Sequence, residues 1–454
     1  MEQELDLIGK ELVIKVLEHE DVPRVPWVPF AGVHAGKLTG YTGEEVLTDG
    51  EKLLESLLAV NEIYHPDGQP VLFDLQVEAE ILGCDLVWAE KAPPSVASHP
   101  LSTERRVPGH LPERDEGRLP LILDVMREMK REVGDQTALY GLICGPFTIA
   151  SHLRGTEVFM DMFGQTDYLH ELLTFTTDVN RRMAELYIDA GMDVIAVVDP
   201  LVSQISPAHF NEFLAEPFTE IFAFLREREV YSSFFVCGDA TKNLEPMSRT
   251  EPDSISIDEN IDIVEAKQIT DRFNIALGGN IPLTTRMLMG TQQDNVRYVL
   301  DILDRLDHKN LIISPGCDMP YDVPPENVVG IVQAIREPER AREMLTGYQE
   351  EEVEVSVELP DYESLDKPLI EVFTLDSATC PACGYMLHAA QRAADELGDQ
   401  VELVEYKFNR PENVARVKAM GIKSLPSMLI NGDLVFASVI PSHRELMEEI
   451  EKRS

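Results

Sequence analysis

Basic residues are scarce in this chain. Its 454 residues hold 39 Lys and Arg against 81 Asp and Glu, a formal net charge of −42. Such a surface repels nucleic acid and anionic membrane, so neither is expected as a partner. The acidic excess itself speaks first to solubility, or to adaptation to a salty cytoplasm. Cysteine is also sparse: six residues in so long a chain make no disulfide framework. No apolar run reaches the ~18 residues of a membrane span. No basic segment followed by an apolar stretch opens the chain, so no signal peptide is expected, and the default location is cytoplasmic. Internal repeats are missing, and so are low-complexity tracts beyond the acidic segment Glu350 to Asp366.

What is present is the composition of a soluble globular protein, 44% hydrophobic and 26% charged, long enough for two domains. Residues 1–345 alternate apolar, β-like runs with amphipathic stretches. The strand candidates are 25–30, 70–74, 138–144, 193–199, 231–237, 253–258, 274–279 and 310–314. Helices are expected between most of them, among them 207–229, 261–272 and 292–306. Ser206-Pro207 marks a helix start, an N-cap followed by proline at the first helical position. Strand–helix alternation on this scale predicts an α/β fold, a (β/α)8 barrel.

Residues 346–366 read as a linker, acidic and without Lys or Arg from Glu350 to Asp366, with one edge strand suggested by Val353, Val355 and Val357. Residues 367–454 read as a smaller α/β domain. A strand at 369–375 leads into Cys380-Pro-Ala-Cys383 and a helix to about Leu397. A strand at 401–406 and a helix near 412–420 follow. Then come Ser424-Leu-Pro-Ser427, a hairpin through Asn431-Gly432-Asp433 and a helix from Ser442.

A barrel of this kind carries its chemistry at the C-terminal ends of its strands. Those ends bear His34, Asp74, Cys144, Asp199, Cys237 with Asp239, Asp258 with Glu259, Asn280, and Cys317 with Asp318. Polar and metal-binding side chains recur there, although Asp and Asn also cap the helices that follow strands. For Asp199, followed by Pro200, a cap or a turn is the competing reading. Cys84 and Cys144 read as buried small hydrophobes. Cys237 and Cys317 differ, because Gly238 and Gly316 beside them permit close backbone approach. Two thiolates at two strand ends can hold a soft metal or activate a sulfur or methyl group.

Several stretches of the first domain resemble the uroporphyrinogen decarboxylase superfamily, which includes cobalamin-dependent methyltransferases. They are Pro26-Trp-Val-Pro-Phe-Ala-Gly32, Phe73-Asp-Leu-Gln-Val-Glu-Ala-Glu-Ile-Leu-Gly83, Gly145-Pro-Phe-Thr-Ile-Ala150, Gly191-Met-Asp-Val-Ile-Ala-Val-Val-Asp-Pro200, Gly278-Gly-Asn-Ile-Pro282 and Ser314-Pro-Gly-Cys317. The resemblance implies a TIM barrel, and pairing of barrels into a homodimer. The decarboxylase branch carries an Arg-Gln-Ala-Gly-Arg segment for substrate carboxylates. Here the equivalent Phe30-Ala-Gly-Val-His-Ala-Gly-Lys37 lacks both arginines. The methyltransferase branch implies zinc on a His-x-Cys-Gly motif and a later cysteine. Cys237 and Cys317 match the two cysteines, and Phe235 stands at the histidine position. A further zinc ligand would come from Asp239, Asp199, Glu78 or His34, or else no zinc binds and the thiols act otherwise. The methyl carrier would be a corrinoid on a separate protein.

The C-terminal domain resembles the thioredoxin–glutaredoxin class. There Cys380 would attack, Cys383 would resolve, Pro426 matches the class's cis-proline, and Thr379 stands where a thioredoxin has tryptophan. It would act on a thiol or disulfide partner, within the barrel or elsewhere.

The function expected is therefore a corrinoid-dependent methyltransferase acting on a small methylated substrate or with a corrinoid protein, with or without zinc, carrying a redox-active appendage. Cys237, Cys317, Asp199, Cys380 and Cys383 are its catalytic candidates. Cys237, Cys317 and Asp239 are the metal candidates. His34, Asp74, Asp258, Asn280 and Pro426 are the cofactor-binding candidates. The alternatives are a uroporphyrinogen decarboxylase and a non-catalytic redox sensor that binds a tetrapyrrole or corrinoid.

Overall fold

The computed structural model describes residues 7–348, 357–375, 381–422 and 424–453. The chain divides into two compact units, the first ending at Tyr348.

Seven parallel strands form the sheet of the first unit: β1 (Gly68–Leu72), β2 (Ala138–Cys144), β3 (Val194–Val198), β4 (Tyr231–Phe235), β5 (Ser254–Ser256), β6 (Ala276–Ile281) and β7 (Leu311–Pro315). They neighbour one another in chain order. All but Tyr231 are buried, which is why they read as continuous apolar or small-residue runs. Residues 25–30 sit between the sheet's two edges. Val28 N–H donates to Ile313 O and Ile313 N–H to Pro26 O, while Asp67 and Gly68 N–H reach Trp27 O on the other side. These bonds join β7 to β1 through the expected first strand, and the fold is a TIM-like barrel. The junction is reinforced below the sheet by Asp67, fully buried. It takes both terminal nitrogens of Arg24 at 2.6 Å and the Trp27 N–H at 2.8 Å.

The intervening helices lie on the outside with marked starts. Thr291 closes a capping box with Asp294 at the head of Gln292–Arg305, and Asp262 caps Ile263–Arg272. The expected single helix at 207–229 is instead three pieces: Pro207–His209, a π-helical stretch Phe210–Leu214, and Ala215–Glu227. Pro217 has no N–H to donate back into the preceding turn, and a widened turn accommodates that loss.

The second unit has a four-stranded sheet of β8 (Leu369–Thr374), β9 (Glu402–Lys407), β10 (Ser427–Ile430) and β11 (Asp433–Ala437) in the order β9-β8-β10-β11. β8 and β9 are parallel, whereas β10 runs antiparallel to both β8 and β11. Helices Pro381–Leu397, Pro411–Ala419 and His443–Glu451 complete it. The Leu425–Pro426 peptide is cis. Apolar residues from Pro381–Leu397 and His443–Glu451 (Met386, Ala390, Leu446, Ile450) pack with Ile370, Val372 and Met428 of the sheet. Cys380 lies outside the described residues, as do Val353 and Val355 of the expected edge strand. Val357 to Asp366 contain no regular strand.

Candidate active site at the barrel mouth

Register aligns the strand ends into a rim. Cys144 lies beside Val198, Val198 beside Phe235, and Phe235 beside Ser256. The residues just past these positions therefore gather at one face. There the chain makes a covalent link: Cys237 and Cys317, past β4 and β7, form a disulfide with a Cα–Cα distance of 5.9 Å. The two neighbouring glycines make this approach feasible. Gly238 has φ of 85°, and a Cβ on Gly316 would stand 2.7 Å from the Glu259 nitrogen.

Phe235, where a third zinc ligand would stand, is fully buried and packs on Phe30 and Phe73, with ring centroids 4.7 and 5.7 Å away. The metal candidates do not converge. Disulfide sulfurs are not thiolates, and Asp239 accepts from the Thr241 N–H and hydroxyl at 3.1 and 2.6 Å. No group of three His, Cys, Asp or Glu among the described residues could hold a metal ion. The residues present thus do not fit the three-ligand zinc centre implied by the family resemblance.

The other expected site residues are held by contacts of their own. Asp199 is fully buried and hydrogen-bonded. Its carboxylate accepts from Phe147 N–H (2.9 Å), Thr148 N–H (3.3 Å) and Thr148 hydroxyl (2.6 Å), capping the helix Pro146–Arg154 that begins at the neighbouring strand's end. Burial pushes its pKa up to about 6 despite these donors. His34 is also fully buried, with both ring nitrogens partnered. Its Nδ1 faces Tyr321 O at 3.1 Å and its Nε2 faces Tyr64 hydroxyl at 2.7 Å. A carbonyl can only accept, so Nδ1 carries the proton and Nε2 accepts from the phenol. Burial pulls its pKa down to about 4, and the ring is neutral.

Asp258 accepts from Gly238 and Asn260 N–H, and Asn280 donates to Asp258 O (2.9 Å) and Ile261 O (2.7 Å). Together they hold the loop after β5 against β6 and against the Cys237 loop. Asp74 is paired with Arg118 at 2.6 Å and accepts the Gln76 N–H at 2.8 Å. Arg118 also reaches Glu80 at 2.7 Å and lies over the Trp88 ring. The sequence reading missed Arg118, whose one signal is its position at the head of helix Leu119–Glu132 on the mouth side. Cys84 and Cys144 are buried as expected, with burial pushing Cys84 up to about 12 and Cys144 well above the usual thiol range.

Three acids remain with perturbed protonation. Glu259, beside Gly316, is pushed up to about 8 by enclosure and by Asp258. Asp318, whose carboxylate accepts the Gly32 N–H at 2.8 Å, is raised well above the usual range by enclosure. Glu78, 1% exposed, accepts the Cys144 N–H with Oε1 at 3.0 Å, and its Oε2 is buried without a partner. Burial pushes it up to about 8.

The sign of the Glu78 effect is defined. At low pH the carboxyl is neutral in both folded and unfolded chains, and it costs nothing. Between its ordinary value and about 8 the unfolded chain has released a proton that the folded chain retains, so stability falls as pH rises through that window. Glu78→Gln keeps the acceptor for Cys144 and removes the charge. Its melting temperature is expected to exceed wild type's at pH 8, with the difference vanishing toward pH 4. Equal melting temperatures at pH 8 would contradict a neutral Glu78.

Among known proteins, the family model for uroporphyrinogen decarboxylase matches residues 9–338. A methylcobamide:CoM methyltransferase of Methanosarcina acetivorans, MtbA, is 28% identical over 337 residues, covering 72% of this chain and 97% of its own. A uroporphyrinogen decarboxylase of Nostoc punctiforme is 24% identical over 282 residues, covering 60% of this chain and 79% of its own. A solved methyltransferase from Methanosarcina mazei superposes with a TM-score of 0.66 at 23% identity, covering 75% of this chain and all of that one, a likeness of fold. Among the described residues no helix is long and apolar enough to cross a membrane.

Proposed function

We propose, from the premise that this chain belongs to the uroporphyrinogen decarboxylase family, that it is an enzyme of that family's methyltransferase branch. It takes a methyl group from a corrinoid held by a separate protein. The observation that carries this reading is the charge of the mouth. A polycarboxylate porphyrinogen needs several cations, yet Phe30-Ala-Gly-Val-His-Ala-Gly-Lys37 lacks the decarboxylase branch's two arginines, and buried Arg118 is engaged by Asp74 and Glu80. A neutral methyl group and a small acceptor face no such demand. The coverage of the methylcobamide:CoM methyltransferase relative along nearly its whole length supports the same branch.

The corrinoid supplies an electrophilic methyl group. The chain's own part is to exclude water and to manage the acceptor's proton. Phe30, Phe73 and Phe235 give the mouth an apolar floor. Glu259, pushed up to about 8, accepts a proton from a thiol acceptor once it has ionised, so transfer is expected to rise as pH approaches 8. No step is routed through zinc. Methyl transfer from a methylated corrinoid protein, or from methylcobalamin, to a panel of small thiols tests the reading through the corrinoid's absorbance. Turnover is expected to fall by about 10²–10⁴-fold in Glu259→Gln. No transfer by full-length, reduced protein to any thiol would overturn it.

The second unit we read as a thioredoxin-like module. Its β9-β8-β10-β11 order, and the helix Pro381–Leu397 after β8 that carries Cys383 in its first turn, support this. Cys383 is fully buried and receives the Leu375 N–H at 3.4 Å, which suits a resolving thiol.

A further inference from the structure

We infer that Cys237 and Cys317 are a reversible two-electron thiol–disulfide centre at the barrel mouth, exchanging with an external dithiol and standing where a metal would otherwise be held.

Four observations carry this. The two cysteines are 80 residues apart in sequence yet bonded, with a Cα–Cα distance inside the range a disulfide spans. The donor set for a metal is incomplete, with Phe235 in the ring of aromatics and Asp239 turned to Thr241. Both sulfurs belong to partly exposed residues, while Cys84 and Cys144 are buried, so within the barrel only this pair is open to exchange. The surroundings are acidic: Asp318 follows Cys317, Asp258 accepts the N–H of Gly238, and Glu259 lies against Gly316. Two adjacent thiolates in this enclosure would repel each other, and joining the sulfurs removes both charges.

Exchange is balanced with a dithiol as the only co-reactant. A thiolate of the donor attacks one sulfur, the Cys237–Cys317 bond breaks, and the other cysteine leaves as thiolate and takes up a proton. The donor's second thiol then attacks the mixed disulfide and releases the first cysteine. The donor departs as a disulfide, and the barrel holds two more electrons and two protons. Cys380 and Cys383 of this chain constitute one dithiol of the required class.

The test uses full-length protein, anaerobically purified and equilibrated in graded mixtures of reduced and oxidised dithiothreitol. It is then quenched by alkylation and mapped by peptide mass spectrometry, with zinc measured on the same samples. Cys237 and Cys317 are expected to become alkylated together in a single two-electron transition, with zinc well below one per chain and Cys84 and Cys144 unmodified in the native state. Cys380→Ser under dithiothreitol should leave that transition unchanged. One zinc per chain that shields both sulfurs, or alkylation of the two at independent midpoints, would overturn the proposal. The readout is thiol and metal content, so its failure is distinct from a failure of methyl transfer.

Discussion

Arg118→Ala is expected to destabilise the barrel by about 3–5 kcal/mol, the usual effect of removing one partner of a buried ion pair. The magnitude follows from what is stranded. Asp74, 2% exposed, loses a 2.6 Å contact and keeps one backbone donor. Glu80 loses its 2.7 Å contact, the Leu47 carbonyl its donor, and the Trp88 ring its overlying cation. Lysine is a poor replacement, because one ammonium cannot reproduce the forked contacts to Asp74 and Glu80. Asp74→Asn in the Arg118→Ala background should recover part of the loss, since the buried charge is then gone. Urea unfolding followed by tryptophan fluorescence reads this directly. The chain has two tryptophans, Trp27 and Trp88, and both lie in the first unit. A loss below about 1 kcal/mol would mean that Asp74 is compensated from elsewhere.

Much of this architecture is legible in the sequence, and the limits have physical causes. Seven of the eight expected barrel strands appear, displaced at their ends by a few residues, because buried parallel strands leave an unmistakable apolar run. Residues 25–30 make one bridge, Trp27 to Ile313, rather than a ladder: Pro26 and Pro29 have no N–H to contribute. The polar rim was legible as a set of residues. Which members do chemistry was not, because their partners are distant in the chain. Asp199 caps a helix that starts about fifty residues earlier, beside a different strand. The two ring nitrogens of His34 face Tyr64 and Tyr321, partners 30 and 287 residues away. Arg118 follows no strand and carries no motif, yet it neutralises Asp74. The link between Cys237 and Cys317 joins loops 80 residues apart in the chain, a closeness that no local pattern encodes.

Phe235→His is the second substitution with a large expected effect, and it acts in two opposed ways. The phenyl ring is fully buried against Phe30 and Phe73. An imidazole there forfeits apolar contact and buries a ring N–H, for an expected loss of roughly 2–4 kcal/mol in unfolding free energy. In return, residue 235 lies two positions before Cys237 at the end of β4 and directs its side chain to the barrel interior. With both thiols reduced, a histidine there would complete three protein donors, the number a catalytic zinc site uses. The reduced variant is expected to take up about one zinc per chain with an affinity more than ~100-fold above wild type, because a ligand contributes more than the outer partners whose loss already costs that much. Cobalt substitution would report the same event as thiolate-to-metal absorption. Oxidising Cys237 and Cys317 before adding metal should abolish uptake, which ties the gain to these sulfurs. If wild type and variant bind zinc equally, the metal has found another donor set, and Phe235 is not what keeps the two thiols free to form a disulfide. If only the variant binds, this one position separates a thiol–disulfide mouth from a metal-bearing one on the same barrel.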